Sequence, residues 1–139
     1  MASIEKYVVR NLIGLESTAP CREAASLMAQ HRFGAIAVHQ AKRVVGLVTE
    51  RDLATRVMAR GLGGETPIGE AMRRDLPSIP DTLTEIECAK LMKDHVTRHL
   101  LVEHEGQIVG IISMRDVIQM MLEDKQFLIE QMQGYIQGY

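Results

Sequence analysis

"GLVTERDL" occupies Gly46–Leu53, and "GIISMRDV" occupies Gly110–Val117, 64 residues further on. Both run glycine, two aliphatics, a hydroxyl residue, one variable residue, Arg-Asp and a further aliphatic. The same step pairs Leu27-Met28 with Leu91-Met92, His31 with His95, Val38 with Val102 and Val45 with Val109. From Leu27 to Leu53, eight of 27 positions are identical, exchanges such as Thr49 for Ser113 conserve chemistry, and no gap is needed. The chain is therefore a tandem duplication, and repeats of this kind usually cover each other's exposed apolar faces.

Each copy predicts the same elements. "CREAASLMAQH" and "TEIECAKLMKDH" space their apolar residues as helices do, with Ala24, Leu27 and Met28 matching Cys88, Leu91 and Met92. Thr84 and Glu87 form a Thr-x-x-Glu capping box, and Pro20 suits the first turn of the other helix. "AIAVH" and "RVVGLV", like "HLLVE" and "QIVGII", are rich in strand formers, and "QAK" and "HEG" are short enough to close hairpins. A further helix starts near Arg51 or Arg115. Short extended segments precede the first helices near "IGLES" and "LPSIP". Between the units, "ARGLGGETPIGEAM" breaks the helix at its glycines, and Thr66-Pro67 restarts a short one at N-cap and N1. The expected division is residues 1–64 for the first repeat with its N-terminal segment and linker, 65–123 for the second, and 124–139 for a helical tail.

Composition narrows the function. Hydrophobic residues make up 46% of the 139, enough for a core, and the net charge of −2 leaves no electrostatic footprint for nucleic acid or an anionic membrane. No apolar run approaches the roughly 20 residues that span a bilayer. "MASIEKYVVRN" has no signal-peptide pattern, and two cysteines, Cys21 and Cys88, make no disulfide framework. A reduced, cytoplasmic protein is expected, with no nucleic-acid or membrane partner.

The motif itself admits two uses. Thr49 and Ser113 follow a strand and stand three residues before Asp52 and Asp116, an arrangement that caps a helix and favours its positive end. The same geometry presents free backbone N–H groups to a phosphate, and a nearby carboxylate can accept from both hydroxyls of a ribose. Arg51 and Arg115 add donors suited to phosphate oxygens.

A single three-stranded sheet with helices on one face leaves its other face uncovered, and two units back to back close it. This order of elements, with the Gly-h-h-[ST]-x-Arg-Asp signature written twice, resembles a cystathionine-β-synthase (CBS) domain pair, or Bateman module, from about Ile13 to Leu122. The resemblance implies an α/β fold of the α+β type: two small three-stranded sheets with flanking helices, related by a pseudo-twofold axis. It implies adenosine ligands held at ribose and phosphate by the motif's hydroxyl and Asp, with the base in an apolar slot. Carried over, that nominates Thr49 and Asp52 for one cleft and Ser113 and Asp116 for the other.

The two clefts are not expected to be equal. Arg98, in "VTRHLLV", stands where related units often carry a phosphate-contacting base, whereas its counterpart is Gly34; Glu50 corresponds to Met114. A phosphate is expected to sit more tightly where Arg98 reaches it, across the pseudo-twofold if need be. His95 and His99 share a metal pair's spacing, but the helix should end near the first and a strand start near the second, so no metal site is expected. Cys21 and Cys88 read as packing residues, and no catalytic group is expected. The tail adds a loose apolar stripe of Phe127, Leu128, Met132, Tyr135 and Ile136, which either packs on its own domain or embraces a second subunit. The expectation is a non-enzymatic sensor for AMP first, with ADP, ATP, NAD and S-adenosylmethionine as other candidates. It requires no cofactor, is a homodimer, and signals to an unidentified effector protein. The alternative is a constitutive dimerisation or protein-interaction module with vestigial clefts.

Overall fold

The structure is a computed structural model describing residues 2–137, the last two by backbone alone. Ile136 of the apolar stripe, and the extreme residues of the outer segments, lie outside the described side chains.

Each repeat contributes one small sheet. A 3-10 turn at Ile4–Tyr7 precedes β1 (Gly14–Glu16), α1 (Cys21–His31), β2 (Ala35–Gln40) and β3 (Arg43–Thr49). From Thr49 the chain enters a helical segment made of α2 (Glu50–Asp52), a π turn (Leu53–Val57) and a 3-10 turn (Met58–Arg60). The second repeat follows as α3 (Ile68–Ala71), β4 (Ile79–Pro80), α4 (Glu85–Asp94), β5 (His99–His104), β6 (Gln107–Ser113) and α5 (Met114–Gln137). In both sheets a parallel pair, β1–β2 or β4–β5, is completed by an antiparallel hairpin, β2–β3 or β5–β6. The repeat holds in fine detail: Val38 pairs with Gly46 and Val102 with Gly110, and each ladder is bulged immediately afterwards. Both hairpins close through two residues of positive φ, Ala41-Lys42 and Glu105-Gly106, as the right-handed twist of paired strands favours.

Two departures from the sequence reading concern prolines. Pro20 and Pro67 are both N-cap residues with extended backbone, one position earlier than first-turn prolines, so α1 and α3 begin at Cys21 and Ile68. The capping box at Thr84 and Glu87 is formed as expected. The tail continues α5 without a break as one 24-residue helix. Its Val117 and Met120 enter the core, and residues 121–135 are exposed.

The cores are built by exchange. Met28, Ile36, Val38 and Val48 of the first repeat close over Ile68 and Met72, which belong to the approach to the second. Met92, Leu100, Val102 and Ile112 of the second close over Ile4 and Val8 from the start of the chain. Ile4 and Ile68 are both fully buried and are 64 residues apart. Ile4 N–H donates to the Leu83 carbonyl at 2.8 Å, and Ile68 N–H to the Ala19 carbonyl, its repeat counterpart, at 2.9 Å. Bridges Ser3–Thr84 and Pro67–Pro20 complete the same exchange. The leading turn of each unit thus fills the core of the other.

This crossing explains the glycine of the twice-written motif. Gly46 and Gly110 lie in strand interiors, where glycine has no packing side chain and weakens the strand. A Cβ on Gly110 would stand 2.5 Å from the Val9 carbonyl oxygen, and one on Gly46 2.9 Å from Met72 Sδ. Both strands are bare because the exchanged segment passes over them. The neighbours differ in compliance: Val9 is locked by paired hydrogen bonds to Ile111 at 2.9 and 3.0 Å, whereas Met72 presents the far part of a flexible side chain. Gly110→Ala should therefore cost about 2 kcal/mol, within the range of overpacked cores, and Gly46→Ala less than about 1 kcal/mol. Urea denaturation of both variants checks the ranking; equal losses would contradict it.

Candidate functional site

A cleft of about 500 Å³ opens between the repeats. Thr49 and Asp52 of the first motif form one wall, and Arg98 and His99 at the start of β5 form the opposite one. Leu76, Met92, Val96 and Met114 supply apolar surface. Gly34 opens the space between the walls, since a Cβ there would meet the His99 ring at 2.9 Å. Of the residues singled out from the sequence, Thr49, Arg51, Asp52 and Arg98 thus meet in one place. Ser113, Arg115 and Asp116 do not line it, and from the second motif only Met114 reaches it.

The capping role of the motif is realised in both copies, with a difference. Thr49 N–H donates to Asp52 Oδ2 at 2.9 Å, and Asp52 N–H to Thr49 Oγ1 at 3.1 Å. In the second copy Ser113 N–H donates to Asp116 Oδ2 at 2.8 Å, and Asp116 N–H to Ser113 Oγ at 3.2 Å. Ser113 Oγ additionally donates to Asp116 Oδ2 at 2.8 Å. The Ser113 hydroxyl therefore spends its proton inside the box, whereas that of Thr49 only accepts there. Thr49 keeps a donor and Asp52 keeps Oδ1 outside the box, and both residues line the composite cleft.

The cleft is rich in cations that the sequence reading did not assign to it. Arg56, Arg73 and Lys93 line it together with Arg51 and Arg98, against the two acids Glu50 and Asp52. Arg73 is committed elsewhere. Its guanidinium grips Asp75 through two bonds of 2.9 and 2.8 Å and donates to the Val96 carbonyl at 3.0 Å, holding the inter-repeat segment to the α4–β5 turn. The grip holds the Asp75 carboxyl down to about 2. The other four cations make no ion pair among the described residues, and Arg56 Nε is buried without a hydrogen-bond partner. Arg73 carried no sequence signal, because it lies in a segment outside the detectable repeat. Arg56 did carry one: the 64-residue step pairs it with Met120, a core position that an arginine cannot share.

Among the described residues no group of three metal-ligating side chains comes together. His95 caps the end of α4 and His99 opens β5, so their sequence spacing does not place them on one helix.

One family model, that of the CBS domain, matches the chain twice, at residues 4–59 and 68–123. The chain belongs to the CBS domain family. The CBS domain-containing protein YhcV of Bacillus subtilis is 32% identical over 117 residues, covering 84% of each chain. An uncharacterized conserved protein of Pyrococcus horikoshii superposes with a TM-score of 0.79 at 31% identity, over 85% of this chain and 90% of that one. The CBS-domain containing protein ATU1752 of Agrobacterium tumefaciens gives 0.78 at 27%, over 85% and 98%. The two CBS matches begin at Ile4 and Ile68, so each includes the turn that the structure seats in the other repeat's core. Tandem CBS pairs are regulatory, signal-transducing modules.

His99 makes the CBS cleft sensitive to acid. Burial lowers its pKa and Arg98 adds to the effect, while Glu50, Asp116 and Asp52 oppose it. The unfolded chain therefore takes up this proton more readily than the folded one. His99 contributes no penalty above its unfolded pKa near 6.5, and stability falls as pH drops below that value toward the folded pKa. Denaturation between pH 7.5 and 5 should show a loss that His99→Gln reduces; an unchanged pH slope in the variant would contradict this.

Proposed function

We propose that the protein is a regulatory module that binds an adenosine-containing ligand in the composite cleft and reports occupancy through shape. The observation carrying this reading is the meeting of Thr49 and Asp52 from one repeat with Arg98 from the other. A carboxylate beside a hydroxyl donor suits a ribose, Arg98 suits a phosphate, and the apolar wall of Leu76, Val96 and Met114 suits a base. The volume falls within the usual range of small-molecule sites. A ligand held from both walls favours the arrangement that brings them together, and a tandem regulatory module needs that differential affinity. The candidates are AMP, ADP, ATP, NAD and S-adenosylmethionine. The second motif, Ser113, Arg115 and Asp116, would serve a weaker second site. In this reading the protein catalyses nothing, requires no cofactor, works in the cytoplasm and passes its signal to an effector protein.

A second reading, a constitutive dimerisation or protein-interaction module, is favoured by α5. Ile118, Leu122, Leu128, Ile129 and Met132 are all exposed large apolar residues on that helix. A homodimer joined along this helix is compatible with both readings, and the two differ in whether nucleotide matters.

A thermal-shift panel of the five candidates, with CMP as control, tests the first reading. At a hundredfold excess over Kd, a cognate ligand stabilises by about 2.7 kcal/mol, a shift of several degrees. Asp52→Asn should weaken the cognate ligand roughly tenfold to a hundredfold, because it removes a charged acceptor. Arg98→Ala should weaken AMP and spare adenosine. Absence of any shift across the panel would leave the second reading standing.

A further inference from the structure

The 24 residues of α5 run about 36 Å, and their own domain holds only the first half. Val117 and Met120 enter the second core, Tyr7 bonds to Glu123, and every residue from 121 to 135 is exposed. Apolar side chains recur along the exposed part at heptad spacing. Ile118, Lys125 and Met132 make one row, and Met121, Leu128 and Tyr135 the next. Leu122 and Ile129 widen the stripe on its other side. Within these rows one position is charged, Lys125, at the middle of the stripe. A separate face is polar, where Gln119 donates to Glu123 and Gln126 to Glu130 at i,i+4 spacing. A helical stretch of this kind gains most of its stability from packing its apolar face, and heptad rows make that face a seam for another helix.

Lys125 decides which helix fits. An anionic lipid surface is disfavoured, because Glu123, Asp124 and Glu130 outnumber the single lysine beside the stripe. A parallel copy would set Lys125 against Lys125 inside the seam, a like-charge contact. An antiparallel copy removes that clash. With the twofold axis between Gln126 and Phe127, Ile118 faces Tyr135, Met121 faces Met132, Leu122 faces Ile129 and Lys125 faces Leu128. Each lysine stem then lies on a leucine while its ammonium group reaches the wet rim. The stripe is its own complement, as an isologous contact requires. We propose that α5 pairs with α5 of a second copy as an antiparallel two-helix arm, and that Lys125 sets its direction. This deepens the dimerisation reading above, and it holds with the cleft empty or filled. The two modules then stand at opposite ends of the arm.

Sedimentation equilibrium on the full chain without nucleotide should show a dimer. Leu128→Glu and Met132→Glu change exposed positions, so both variants should keep the far-UV circular dichroism of a folded chain and sediment as monomers. A dimer that survives both changes would overturn the proposal and leave dimerisation to another surface. A monomeric unaltered chain, or one that binds phosphatidylserine vesicles through this stripe, would overturn the proposal and the dimerisation reading together. Direction is read by double electron–electron resonance on spin labels at Gln119→Cys, Gln126→Cys and Gln133→Cys, since Cys21 and Cys88 are buried. An antiparallel arm brings the labels at 126 closest and separates those at 119 and 133 by about 20 Å further along the axis. Equal distances at all three positions would overturn it. Lys125→Leu should tighten the dimer about tenfold and admit a second, parallel population, because a charge in the seam sets register at a cost in stability. A Lys125→Leu dimer of unchanged strength and single direction would remove the lysine from that role.

Discussion

Ile4 is buried in the core of the second repeat and Ile68 in the core of the first, and the rest of the molecule depends on that reciprocal exchange. Each sheet presents one face to its own helix, and that helix alone leaves the core open at one end. The missing apolar volume arrives from the turn ahead of the other unit. A buried isoleucine contributes about 1.5–3 kcal/mol relative to an exposed one, so each exchanged turn is a large fraction of the stability of a small domain. Neither unit is complete without a segment that belongs, in sequence, to the other.

The exchange also creates the cleft. Arg73 and Leu76, in the chain leading from the exchanged turn α3 into the second repeat, line it, and Arg73 bonds to the α4–β5 turn beside Arg98. The cleft walls then come from different repeats by construction. The symmetry that builds the scaffold is broken where chemistry is needed: Gly34 stands where the second repeat has Arg98 and leaves room for the His99 ring, Thr49 retains a hydroxyl donor that Ser113 has spent, and a π turn presents Arg56 where α5 buries Met120. Duplication supplies the frame, and single-residue divergence supplies the site.

Much of this was legible in the sequence. Ungapped self-similarity located β2, β3, β5 and β6, their hairpins and the helix caps at Thr49 and Ser113, because these depend on local pattern and turn length. Thr49, Arg51, Asp52 and Arg98 could be named because the motif and the Arg98–Gly34 mismatch are written in the chain. The destination of Ile4 and Ile68 was not legible. An apolar residue states that it must be buried and leaves open against what. The glycines of the motif were read as signature letters; their steric duty appears only once the crossing segments are seen beside them. The one-residue shifts at Pro20 and Pro67 turn on the extended backbone of those residues, and the π turn on competition between Arg56 and Val57 for one core position. Helical spacing alone resolves neither. Nor could spacing show that the tail carries straight on from Met114 as one helix, since Asp124 and Lys125 read equally well as a boundary.

The exchange is open to a direct test by hydrogen exchange with mass spectrometry on Ile4→Ala. Ile4 lies at the start of the first repeat, yet the cavity it leaves would be in the core of the second, where such truncations cost about 2–5 kcal/mol. The account predicts faster amide exchange in α4, β5 and β6, with β2 and β3 close to the unaltered protein. Faster exchange confined to β1, β2 and β3, the strands that follow Ile4 in its own repeat, would contradict it.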